Sequence, residues 1–167
     1  MNMEMMMERL RSTNEVRLNW DGLYRSAPEW FQDAKFGLFF HWGPYSVPEW
    51  ENEWYSRNMY MKGHTANIHH VAEYGPLRQF GYKDFYGDFK GEKFDAEAWV
   101  DLIERSGARY AGPVAEHADG FSMWDSKVNP VNAVNYGPHR DVVGELTAAL
   151  RRRNITVLLS LHHSWLW

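Results

Sequence analysis

The chain of 167 residues has no cysteine. That excludes disulfides, cysteine-bound zinc and thiol catalysis, and favours a reducing compartment. No apolar run approaches the ~20 residues that a membrane span requires. Positive charge is not in excess either: 18 Lys and Arg face 22 Asp and Glu, for a net charge of −4. The basic face of a nucleic-acid binder is therefore missing. Neither G-x-x-x-x-G-K nor G-x-G-x-x-G occurs, which removes the common phosphate-cradling loops. The Met-rich start from Met1 to Met7 includes Glu4 and lacks a long apolar segment, so no signal peptide is read and the compartment defaults to the cytoplasm.

Aromatic side chains are what the sequence has in excess. Nine Trp, nine Tyr and nine Phe make up 16% of the chain. They crowd between Trp20 and Tyr60, where 13 of 41 residues are aromatic. Within that stretch Phe36-Gly37-Leu38-Phe39-Phe40 runs into His41-Trp42-Gly43-Pro44, the pattern of a fully buried strand closed by a Gly-Pro breaker. Residues 1–18 show no clear period and read as a mobile lead-in, leaving 19–167 as the structured domain.

Alternating periods organise the remainder. Residues 61–93 read as irregular with one short helix, and His69-His70 as a solvated surface pair. Asp95 is a good helix N-cap with Phe94 and Trp99 at the flanking staple positions; Trp99, Leu102 and Ile103 form an apolar face, and Gly107 stops the helix. Arg109 to Ala115 reads as a second strand despite Pro113, and Glu116 to Gly137 as a long loop. Val142, Val143, Leu146, Ala149 and Leu150 repeat at helical spacing behind Asp141 and ahead of Arg151, Arg152 and Arg153. Ile155 to Leu161 is an unbroken apolar strand of the parallel-sheet type. The order strand, insert, helix, strand, loop, helix, strand defines an α/β fold with a parallel sheet.

Polar groups collect just after each strand: His41, then Glu116, His117 and Asp119, then His162 and His163. In parallel α/β folds that edge carries the site. The segment with His41, Trp42, Trp50, Glu53, Trp54 and Tyr55 suits a sugar, whose C–H face stacks on aromatic rings while its hydroxyls take His, Glu and indole partners. The alternative for each of these aromatics is a place in the core. His41, His117 and one of His162 or His163 could also converge as three metal ligands plus water. No local pair such as H-x-H or H-E-x-x-H supports that, and no metal or cofactor is expected. Of the adjacent pair His162-His163, only one can face a given side of a strand.

Four blocks in register carry a resemblance. Trp30-Phe31-Gln32-Asp33-Ala34-Lys35-Phe36-Gly37-Leu38-Phe39-Phe40-His41-Trp42-Gly43-Pro44-Tyr45-Ser46-Val47-Pro48 resembles the opening of the α-L-fucosidases of glycoside hydrolase family 29. Glu53-Trp54-Tyr55, the run from Glu116 to Ser126 and the run from Arg140 to Leu146 continue it in order, from about residue 20 to the end. The resemblance implies the N-terminal portion of a (β/α)8 barrel, with about three strands present, that releases terminal L-fucose from fucosylated glycans with retention. It implies sugar contacts from His41, Glu53, Trp54 and His117. Ala118 stands where many members carry a second histidine; His163 is taken as the replacement contact, with His162 the alternative.

A barrel of this type takes about 250 residues, and retention requires two carboxyl groups about 5–5.5 Å apart. In the family the nucleophilic Asp and the acid/base group both lie downstream of these blocks. No catalytic residue is therefore assigned within this chain, which alone is expected to be inactive. An uncovered barrel edge implies self-association. Members of the family are often secreted, periplasmic or lysosomal. A carbohydrate-binding half-barrel and a metal-dependent barrel hydrolase are the rival expectations.

Overall fold

The computed structural model describes residues 26–163. They divide into two compact units between Asp33 and Ala34. In the first begins a short helix, α1 (Glu29–Ala34), opened by Pro28, whose carbonyl accepts from the amides of Phe31 and Gln32 at 3.0 and 3.2 Å. The lead-in expected over 1–18 lies outside the described residues.

The second unit starts with β1 (Gly37–Phe40) and a single 3-10 turn at Pro44–Ser46. Two helices follow, α2 (Tyr55–Asn58) and α3 (Thr65–Tyr74), then a 3-10 segment at Tyr82–Gly87. The chain continues through α4 (Ala96–Arg105), β2 (Tyr110–Glu116), α5 (Val142–Arg152), β3 (Thr156–Val157) and β4 (Ser160–Leu161). β2 is the centre of the sheet. β1 pairs with it in parallel, Gly37 opposite Tyr110 and Phe40 opposite Pro113, while β3 and then β4 pair with it in parallel through Tyr110–Thr156 and Val114–Ser160. Parallel strands joined by helices make this a partial (β/α) barrel. Among the described residues no helix is long and apolar enough to cross a membrane.

The two crossover helices form as their sequence dictates. Asp95 caps α4 by accepting from the Glu97 and Ala98 amides at 2.9 and 3.1 Å, and Asp141 caps α5 by accepting from Gly144 at 2.7 Å. Gly107 takes φ +84° after α4, the left-handed region that glycine reaches without strain. On α5, Val142, Val143, Leu146, Ala149 and Leu150 are all buried. The core of α4 is Ala96, Val100 and Ile103; Leu102 is 62% exposed. The apolar face lies one step from where Leu102 was expected, because α4 also packs on α5 and only a narrow stripe is enclosed.

Three further expectations are corrected. β1 is half-buried instead of fully buried, with Phe39 45% exposed, because it has a neighbour strand on one side only among the described residues. The strand expected over Ile155–Leu161 breaks at Leu158-Leu159. There the chain turns in on β2: the Leu158 amide donates to the Ala111 carbonyl at 2.9 Å, and the Leu158 carbonyl lies 1.5 Å from where a Cβ on Gly112 would stand. His70 is fully buried instead of solvated. Its Nε2 donates to the Phe80 carbonyl at 2.9 Å, so Nδ1 is free to accept from the Tyr55 hydroxyl at 3.1 Å. With both nitrogens satisfied, the ring joins Tyr74, Phe80 and Phe85 in an aromatic core beneath the insert.

At Gly112 a Cβ would collide with the Leu158 backbone. Gly112→Ala should lower unfolding stability by about 2 kcal/mol or more, since strand backbone must move to admit the methyl group. Asp95→Ala, which removes one cap, should cost about 1 kcal/mol. Chemical denaturation compares the two, and an alanine tolerated equally at both positions would contradict the close approach at Gly112.

Candidate sugar site

Parallel register brings the C-terminal tips of β1, β2 and β4 to one edge. His41 follows β1, His117 follows β2, and His162 follows β4, where its amide donates to the Glu116 carbonyl at 3.0 Å. The three imidazoles pack as a cluster, with ring centroids 5.4 Å apart for His41–His117, 5.6 Å for His41–His162 and 4.6 Å for His117–His162. Trp54 meets His117 edge-on at 5.0 Å, and Glu53 places Oε1 4.0 Å from His41 Nε2. Of the candidates, His41, Glu53, Trp54 and His117 therefore come together. His163 does not join them: its Nε2 lies 2.8 Å from Glu116 Oε1.

Several aromatics flagged with these residues serve the core. Trp42 stacks on Phe94 at 5.3 Å and meets Phe89 and Trp99, fastening the end of β1 to α4. Tyr55 is fully buried against His70 and Phe85. Trp50 stays 42% exposed on the rim. Sequence reasoning missed Tyr45. The Gly43-Pro44 turn sends it inward, where its ring packs 5.4 Å from His117. The one available signal was an aromatic directly behind a breaker that follows a strand-end histidine.

Glu116 and Asp119 hold the loop that shapes the site. Buried Glu116 accepts from the Ser122 hydroxyl, and Asn129 Nδ2 donates to Ser122 Oγ at 2.9 Å and to the Gly120 carbonyl at 2.8 Å. Asp119 Oδ2 accepts from the Tyr82 hydroxyl at 2.6 Å and Oδ1 from the Phe121 amide at 3.1 Å. Gly120 closes the turn at φ +69°.

Electrostatics favour the neutral rings of His41 and His117, and both are short of partners. Burial is the main cause that lowers the His117 pKa to about 4, with His162 and His41 adding to it against a weaker pull from Glu53. Burial likewise lowers His41, opposed by Glu53. Both His117 nitrogens and His41 Nε2 are buried without a hydrogen-bond partner. Orphaned buried nitrogens are costly, and a ligand rich in hydroxyls satisfies them as donors or acceptors. One nitrogen each of His41, His117 and His162 lies within 4.8 Å of the others. That spacing is one in which the three imidazoles could also hold a metal ion.

Parallel strands alternating with helices, with polar side chains gathered at the strand tips, define a segment of a (β/α)-barrel domain with its functional edge. Residues 4–165 match the family described as Alpha-L-fucosidase. Tissue alpha-L-fucosidase of Rattus norvegicus is 43% identical over 148 residues, covering 87% of this chain and 31% of that protein. The Homo sapiens counterpart is 41% identical over 150 residues, covering 89% and 32%. Among solved structures, Thermotoga maritima alpha-fucosidase in complex with fucose aligns with a TM-score of 0.77 at 37% identity, over 81% of this chain and 34% of that one. The chain belongs to the α-L-fucosidase family. It spans about a third of the length of these curated relatives.

Two titrations test the electrostatics. The His117 ring signals should move with a midpoint near 4 in an NMR titration, and a midpoint near 6.5, the ordinary value, would show a solvated ring. The neutral ring's contribution to stability is fully present above 6.5 and is lost as pH falls toward 4. Asp119 works in the opposite sense, since burial raises it from 3.8 to about 6. Its protonated form favours the fold at low pH, and that contribution fades as pH rises through about 6. The stability of Asp119→Asn relative to the parent should therefore improve from pH 4 to pH 7; a pH-independent difference would contradict the raised value.

Proposed function

We propose that this chain supplies the sugar-binding side of a retaining α-L-fucosidase that acts on terminal L-fucose of fucosylated glycans. His41, Glu53, Trp54 and His117 contact the fucosyl ring, and His162 takes the third strand-tip position in place of His163. The observation that carries this reading is the cluster of buried, partnerless imidazole nitrogens beside Glu53 and Trp54. The nucleophile and the acid/base group come from outside these residues. Glu116 and Asp119 are not candidates: both are committed to local hydrogen bonds that hold the loop. Phe36 and Phe39 on one sheet edge and Leu159 and Leu161 on the other are exposed. These apolar edges support self-association of the chain on its own.

Binding and turnover separate the parts of this proposal. L-fucose should bind the chain in a calorimetric titration. His41→Ala and His117→Ala, checked for unchanged circular dichroism, should each weaken it by about tenfold, the equivalent of roughly one hydrogen bond. No L-fucose binding would overturn the reading. Steady hydrolysis of an aryl α-L-fucoside by the pure chain would overturn the placement of the catalytic carboxyls elsewhere.

A further inference from the structure

A cavity of about 370 Å³ opens beside His41 and Glu53 and continues past Tyr45 to Glu49, Trp50 and Glu51. His117, Trp54 and His162 do not line it. It therefore extends away from the histidine cluster, sharing with it the His41–Glu53 wall. Trp50, one of its lining residues, lies face to face on His69, with ring centroids 4.2 Å apart and planes 1° from parallel. One face of the indole is thus backed by His69, yet Trp50 remains 42% exposed.

The loop that carries Trp50 is fixed from several directions. Glu51 accepts from the Thr65 hydroxyl at the start of α3 and from Asn58 Nδ2 at 3.4 Å, and lies 3.6 Å from His64. Asn52 Oδ1 accepts from the Trp54 amide at 2.9 Å. His69 is steadied in turn by edge contacts with Tyr55 and Tyr74 at 6.4 and 6.2 Å. An indole held in this way loses little freedom when a ligand arrives, which is what a stacking platform for a sugar ring requires.

The geometry points to a second sugar subsite, in which Trp50 stacks the pyranose ring to which fucose is attached. Glu49, which lines the same cavity, would accept from hydroxyls of that ring. The inference rests on the proposal that His41 and Glu53 hold the fucosyl ring, and it assigns the leaving-group side of the substrate. The occupant is a pyranose with an apolar C–H face. Galactose has one, because its axial 4-hydroxyl leaves three C–H groups on the opposite side.

The test compares methyl α-L-fucoside with α-L-fucosyl-(1→2)-galactose by calorimetric titration of the chain. The disaccharide should bind about fivefold tighter, and Trp50→Ala should bring that ratio to about 1. Trp50→Phe, which keeps a ring on His69 but offers a smaller face, should lower the ratio by about half; it carries the comparison if Trp50→Ala loses its circular dichroism. A disaccharide no tighter than the methyl fucoside, or a ratio unchanged by both substitutions, would overturn the subsite. Failure of the methyl fucoside itself to bind would overturn the fucosyl site, and the second subsite with it.

Discussion

Everything at the functional edge depends on how closely the third strand segment lies on β2. The strands are short, and His41, His117 and His162 meet because β1 and β4 are both in parallel register with the same central strand. That register is set at Gly112. Only a residue without a Cβ lets the Leu158 carbonyl come so near, and the segment that carries His162 follows the strand break at Leu158-Leu159. A side chain at position 112 would push β3 and β4 outward and separate the imidazoles.

The cluster that results is electrostatically unusual for a set of histidines near a carboxylate. Glu53 lies within reach of His41, yet burial and the mutual proximity of the rings outweigh its pull and keep His117 neutral down to about pH 4. Neutral rings can donate from one nitrogen and accept at the other, which suits hydroxyl groups that do both. Three protonated histidines would instead repel one another. Exclusion of water thus keeps the His117 ring neutral and at the same time leaves its nitrogens without partners.

The sequence was most informative where a local rule and the tertiary structure agree. Caps at Asp95 and Asp141 and the periodic apolar residues of α5 depend on neighbours a few positions away, and both helices form where those signals lie. The parallel α/β order was equally legible, because the helices alternate with short apolar runs. Legibility ended where an outcome depends on a distant partner. His70 reads as polar and exposed until Tyr55 and the Phe80 carbonyl satisfy both nitrogens. Trp42, Trp54 and Tyr55 are alike in sequence, yet only Trp54 reaches the imidazoles, since α4 and the insert core claim the other two. That the His162 ring lies beside His41 and His117 depends on the fold beyond a strand break that no period in the sequence announces.

A crystal structure of the chain soaked with L-fucose would test the central claim most directly. The account predicts one sugar ring at the strand tips, its hydroxyls within hydrogen-bond distance of His41, His117 and Glu53 and its edge against Trp54, with the imidazoles still clustered around it. Density for the sugar elsewhere on the surface, or strand tips too far apart for His41 and His117 to reach one ring, would contradict it.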